Sequence, residues 1–141
     1  MQIKDYNFPD NLYYEKNHFW AKVQDDGNVI FGATDFFVKL AGEIVYIELP
    51  MKGAKVRQSQ SLSSLESGKW VGKIFAPVTG EIIESNQELE DSPELLNQSP
   101  YENGWIAKIK PASLETELSN LLKTGPEFEK FILEEAEKHK K

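Results

Sequence analysis

Lys69 can do chemistry only because of where it stands. It lies in Leu65-Glu66-Ser67-Gly68-Lys69-Trp70, followed by Ala76-Pro77-Val78-Thr79-Gly80-Glu81-Ile82-Ile83. Ser67-Gly68 is a turn dipeptide. Strand-forming residues flank it, Leu62 and Leu65 before and Val71, Ile74 and Phe75 after. The pattern predicts a tight β-hairpin over roughly 60–76 with Lys69 at or beside its tip. An amine held out on such a tip cannot catalyse much by itself. A swinging cofactor can acylate it, and a small non-catalytic domain then becomes a carrier.

The elements that must position this hairpin are legible on both sides. Residues 11–32 read as a hairpin, Tyr13 to Val23 and Val29 to Phe31, turning at Asp25-Asp26-Gly27-Asn28. Thr34 to Ala41 reads as a short helix with Thr34 as N-cap and Gly42 at the far end. Glu43 to Leu49 and Lys55 to Arg57 read as strands, separated by a Lys52-Gly53 turn. Gly42-Glu43-Ile44-Val45 is echoed by Gly80-Glu81-Ile82-Ile83. The echo brackets the hairpin and fits a sandwich of two similar halves. Trp105 to Ile109 alternates as a strand.

Beyond it, Leu114, Leu118, Leu121 and Leu122 form one helical stripe. Gly125-Pro126 breaks that stripe. Thr124 with Glu127 reads as a capping box, with Pro126 in the first turn. Phe128, Phe131 and Ile132 make a second apolar face, read as packing. The charged tail from Glu134 to Lys141 is expected to fray.

Composition narrows the function. The chain has 141 residues and a formal net charge of −7. Its length fits one domain with a real core. Between Ile74 and Ala107 there is no Lys or Arg, but there are seven acids, which equals the whole net charge. This stretch reads as a solvated loop and sheet edge, or as an acidic face for basic partners. An acidic chain with no basic cluster argues against nucleic acid. With no cysteine there is no disulfide and no thiol nucleophile. With only His18 and His139, neither a zinc site nor an enzyme of its own is expected. No apolar run is long enough to span a membrane, and the N-terminus reads as neither signal nor transit peptide. The expected setting is the cytoplasm of a bacterium or archaeon.

Several strings in order resemble the glycine cleavage system H proteins, which are lipoyl-lysine carriers. They are Tyr14, His18 and Trp20; Gly32-Ala33-Thr34-Asp35-Phe36; Gly42 to Pro50; Glu66-Ser67-Gly68-Lys69; Pro77 to Ile82; and Pro93 to Asn97 with Pro100-Tyr101 and Gly104-Trp105. The resemblance spans about Tyr6 to Phe131. It implies a mainly β fold, a lipoyl-domain-like β-sandwich (a barrel-sandwich hybrid), with a short helix near 34–41 and C-terminal helices. It implies one carrier domain over 1–141 with a helical extension about 113–138.

It further implies lipoate as a covalent cofactor on Lys69. Glu66 and Gly80 stand where the family's lipoylating enzymes read a glutamate and a glycine. The implied partners are the P, T and L proteins and a lipoate ligase or lipoyl/octanoyl transferase. Glu15, His18 and the 32–36 segment are the nearest candidates for the cleft in which the family rests its loaded arm.

The sequence also departs from the family. Trp70-Val71-Gly72-Lys73 replaces Ala-Ala-Ser-Asp, Gly68 replaces valine, and Phe19 replaces a glutamate. Trp70 is read as a contact for the arm, since sulfur–aromatic contacts are favourable, or as an outward ring shielding the hairpin. His18 is read as a structural hydrogen bonder. The altered flank keeps two alternatives open: a lipoyl carrier for another pathway, such as heterodisulfide-reductase-like sulfur oxidation or a lipoyl relay, and an unmodified interaction module.

Overall fold

The computed structural model describes residues 1–139. In chain order the strands and first helix are β1 (Gln2–Ile3), β2 (Tyr6–Asn7), β3 (Tyr13–Glu15), β4 (Phe19–Val23), β5 (Val29–Ala33), α1 (Asp35–Ala41), β6 (Ile44–Ile47) and β7 (Lys55–Val56). There follow β8 (Ser61–Ser67), β9 (Trp70–Phe75), β10 (Gly80–Ser85), α2 (Glu88–Asp91), α3 (Leu95–Gln98), β11 (Ala107–Pro111), α4 (Leu114–Leu118) and α5 (Pro126–Lys138). A six-stranded sheet has the order β3-β4-β5-β11-β10-β7, a three-stranded sheet the order β6-β8-β9, and β1 pairs with β2 as a separate two-stranded ribbon. This is the mainly β sandwich expected. Alternation puts Phe19 and Ala21 of β4, Phe31 of β5, Leu65 of β8, Ile74 of β9 and Ile82 of β10 into one shared core. The two echoed strings open β6 and β10, one in each sheet.

α1 is capped as its sequence predicts. Thr34 is extended and its hydroxyl accepts from the Phe37 N–H, and Gly42 closes the helix at φ 88°. A second cluster, including Phe8, Tyr14, Trp20, Phe36, Phe128 and Ile132, packs α5 onto β3, β4 and α1. Phe8 meets Phe128 edge-on at 4.9 Å between centroids.

Several local expectations are corrected. The segment 11–32 is not one hairpin: it turns a first time at Lys16-Asn17-His18, so β3 and β4 also pair. His18 takes φ 77° there. The acidic stretch is not only loop, because Leu89 of α2 and Leu96 of α3 are fully buried and draw two short helices inward. The Leu114–Leu122 stripe is not one helix. α4 ends at Leu118, and Leu122 instead exchanges backbone hydrogen bonds with Tyr14. The capping box does not form: α5 starts after Gly125 at φ 154°, with no side-chain cap and Pro126 in its first turn. The tail is helical to Lys138 rather than frayed. Lys140 and Lys141 lie outside the described residues. Among those described, no helix is long and apolar enough to cross a membrane.

Candidate functional site

The hairpin forms where the sequence predicts it. Ser67 pairs with Trp70, leaving Gly68-Lys69 as a two-residue loop. Neither loop residue has positive φ, so the turn is not of the primed types that demand glycine. A Cβ on Gly68 would meet nothing within 4 Å. Lys69 is exposed. Its stem lies over the C-terminal end of α1, with Cε 3.2 Å from where a Gly42 Cβ would stand. The end of a helix carries partial negative charge, which suits an amine. Asn97 of α3 holds this seat in place. It accepts from the Ile44 N–H at 2.9 Å and donates to the Gly42 carbonyl at 2.9 Å.

Beside Lys69 opens a cleft of about 520 Å³. Its apolar wall is Phe37, Leu40 and Ala41 of α1 with Trp70 and Phe75 of β9. Trp70 folds back over Gly72, where any Cβ would overlap its ring, and meets Phe37 edge-on at 5.5 Å. Trp70 remains 43% exposed and lines the cleft.

The opposite wall is polar: Lys16, Asn17 and His18 from the β3–β4 turn, with Glu135 and His139 from the end of the chain. His18 Nε2 lies 2.8 Å from Glu135 Oε1. The imidazole sits 4.7 Å from Phe36 and 5.7 Å from Phe131, centroid to centroid. Burial pushes the His18 pKa down against the pull of Glu135. The ring is therefore neutral at pH 7 and donates its Nε2–H to the carboxylate. Burial alone would raise the Glu135 carboxyl, but hydrogen bonds from His18 and Lys138 hold it below its ordinary value.

The cleft differs from expectation in its members. His18 lines it, but Glu15 and the 32–36 segment do not. Glu15 is buried behind the turn and accepts from the Asn17 N–H at 2.6 Å, Asn17 Nδ2 at 2.7 Å and Ser59 Oγ at 2.7 Å. Burial still pushes its carboxyl above its ordinary value. Phe36 is fully buried, and Phe37 one residue on supplies the wall. Sequence reading missed Phe37, Leu40, Lys16, Asn17, Glu135 and His139 of the cleft, and Asn97 behind it, as parts of the site. Only Asn97 left a signal, as a member of a matched string.

Glu66 is exposed on the outer face of β8, directly between Tyr46 and Val71. Gly80 is buried in the other sheet between β7 and β11. A Cβ there would overlap the Lys110 carbonyl oxygen. Close backbone approach is what demands glycine at that position.

A family model described as glycine cleavage H-protein matches residues 12–135. A probable glycine cleavage system H protein of Thermococcus gammatolerans is 50% identical over 122 residues, covering 86% of this chain and 90% of that protein. Glycine cleavage system H protein 2 of Aquifex aeolicus is 46% identical over 120 residues, covering 84% of this chain and 74% of that protein. The crystal structure of a glycine cleavage system H protein from Mycobacterium marinum superposes with a TM-score of 0.71 at 27% identity, covering 80% of this chain and 98% of that one. With its two-sheet sandwich, its exposed hairpin lysine and this match along most of its length, the chain belongs to the glycine cleavage H-protein family.

Proposed function

We propose that the chain is the lipoyl carrier of a glycine cleavage system, with lipoate in amide linkage to Lys69 and no catalysis of its own. The observation that carries this reading is the exposed Lys69 amine on a two-residue turn, beside a cleft with one apolar wall. The residues present fit the group: the seat over Gly42 accommodates the lysine stem, and Phe37, Leu40 and Trp70 offer apolar surface to a hydrocarbon and sulfur arm. When bound, lipoate supplies a disulfide that takes up the aminomethyl group of glycine and is regenerated by oxidation of the dithiol.

What the chain contributes is tethering and shelter. The hairpin presents Nζ to whichever enzyme docks, and an arm fixed there has a high effective concentration in that enzyme's site. The P, T and L proteins would dock in turn. Trp70 and Phe37 exclude water from one side of the cleft, and the neutral His18 holds Glu135 across it. Glu66 and Gly80 serve lipoylation in different ways: Glu66 is open to contact, whereas Gly80 acts through the shape of the sheet. A lipoate ligase or lipoyl/octanoyl transferase installs the arm. Archaeal and bacterial relatives support a cytoplasmic setting.

Intact-mass measurement of the protein from its native host, with peptide mapping of 60–76, tests this. One lipoyl increment on Lys69, absent from Lys69→Arg, is expected. An unmodified Lys69 in a host that lipoylates its other carriers would leave the interaction-module reading. A lipoylated protein that a P protein cannot load from glycine would move it to another lipoyl pathway.

A further inference from the structure

The chain carries a formal net charge of −7, yet the cleft beside Lys69 is ringed by cations. Lys16 enters from the β3–β4 turn, Lys69 from the hairpin loop and Lys73 from β9. All three are exposed, and none forms an ion pair among the described residues. The one acid among the described lining residues, Glu135, is already engaged. His18 Nε2 lies 2.8 Å from its Oε1, and Lys138 Nζ lies 3.2 Å from its Oε2. The remaining titratable groups are His18, held neutral by burial, and His139 at the end of α5. α1 brings Phe37, Leu40 and Ala41, with no charged side chain, and the partial negative charge of its C-terminal end.

Acylation of Lys69 removes its charge. Lys16 and Lys73 then remain as two ammonium groups beside an apolar wall that holds no counter-ion for them. The lipoyl arm has one state that supplies such an ion. Oxidised, it ends in a neutral dithiolane. Reduced, it ends in two thiols, and a thiol that loses its proton is an anion. A cation beside a thiol favours the ionised form, whereas apolar burial disfavours it. Here the cleft is open: Trp70 is 43% exposed and both lysines stand in solvent. Little hydration is lost, so the attraction of two full charges outweighs both desolvation and the weaker helix end. The Trp70 ring adds a favourable contact for sulfur.

Resting on the carrier reading of Lys69, we propose that Lys16 and Lys73 are positioning residues that hold the reduced arm in this cleft as a thiolate. The thiolate is the form that exchanges with a disulfide. The spent arm is thus kept in the ionisation state that its reoxidation uses. An amine carried on the arm is cationic when protonated and meets like charge in the same cleft. The site therefore distinguishes the reduced arm from the loaded one.

The chain has no cysteine, so the thiols of the reduced arm are the only ones present and their alkylation reports the arm alone. The test uses the full lipoylated chain, reduced with a phosphine. Alkylation by iodoacetamide is followed through the mass of the carrier as a function of pH. The midpoint of the rate profile is expected roughly half to one pH unit lower than in Lys16→Gln/Lys73→Gln. Lys16→Arg/Lys73→Arg should restore it. Lys110→Gln removes an exposed cation of β11 outside the cleft and should leave it in place. Salt should raise the midpoint of the unsubstituted chain toward that of the double Gln variant. Both lysines are exposed and unpaired, so thermal unfolding should show little change. Equal midpoints in the unsubstituted chain and the double Gln variant overturn the proposal. So does an equal displacement in Lys110→Gln, which would assign the effect to the charge of the whole protein rather than to the cleft. If a lipoate ligase cannot lipoylate the unsubstituted chain, the carrier reading itself fails, and this inference with it.

Discussion

Glu135 Oε1 lies 2.8 Å from His18 Nε2, 117 residues away in the chain. The contact joins the end of α5, which lines the cleft beside Lys69, to the β3–β4 turn. Its character is separable by substitution. Glu135→Gln keeps an acceptor for the His18 N–H and removes the charge, and it should cost less than about 1 kcal/mol. Glu135→Ala leaves a buried imidazole donor unpaired and should cost about 1–3 kcal/mol. Denaturant unfolding of the two variants checks the order.

The same pair predicts a pH response. The folded His18 pKa is depressed below its ordinary 6.5. As pH falls from about 6.5 toward that lower value, the unfolded chain binds more protons than the folded one. Stability from this group is therefore complete above about 6.5 and is lost below it. Glu15 has the opposite sign, because its folded pKa is raised above 4.5. Its carboxyl weakens the fold as pH rises from 4.5 through the folded value. His18→Gln should flatten the first slope and Glu15→Gln the second. Unfolding free energies between pH 4 and 8 would read both; unchanged slopes would show that neither group is coupled to folding.

Gly68 and Gly42 should respond in opposite directions to the same substitution. Gly68 has ordinary φ and open space at its Cβ position. Gly68→Ala should stabilise the protein by roughly 0.4–1 kcal/mol, because it restricts only the unfolded chain. Gly42 sits at φ 88° against the Lys69 stem. Gly42→Ala should destabilise it by about 1–2 kcal/mol or more. Melting temperatures of the two variants suffice, and a loss of stability in Gly68→Ala would contradict the turn geometry.

Asn97 joins the acidic segment to the seat of Lys69. Asn97→Ala orphans the Ile44 N–H and one bond to the Gly42 carbonyl. The cost should be about 1–3 kcal/mol. Hydrogen exchange at Ile44 should accelerate more than exchange at Leu65 in the neighbouring strand. Equal acceleration would mean that the whole fold was loosened rather than its seat.

What the sequence determined by itself was local. The Ser67-Gly68 turn between strand-forming residues placed the hairpin, and Thr34 and Gly42 bounded α1, because turn and cap chemistry act within a few residues. The ordered strings also made the family legible from the residues alone. Other features were decided only by tertiary packing. The leucine stripe after Leu114 showed helical period, yet Leu122 bonds to Tyr14 instead, because an available β partner competes with the next helical turn. Leu89 and Leu96 turned an acidic stretch into two helices because each found a place in the core. Periodicity marked Phe128 and Ile132 as one buried face of α5, but it could not say what that face would cover. Docking against Phe8, Tyr14 and Trp20 set the rotation of the helix, and so brought Glu135 to His18 and His139 to the cleft. A side chain's neighbours across the chain follow from how amphipathic faces meet, and that is a property of the whole packing, absent from any single segment.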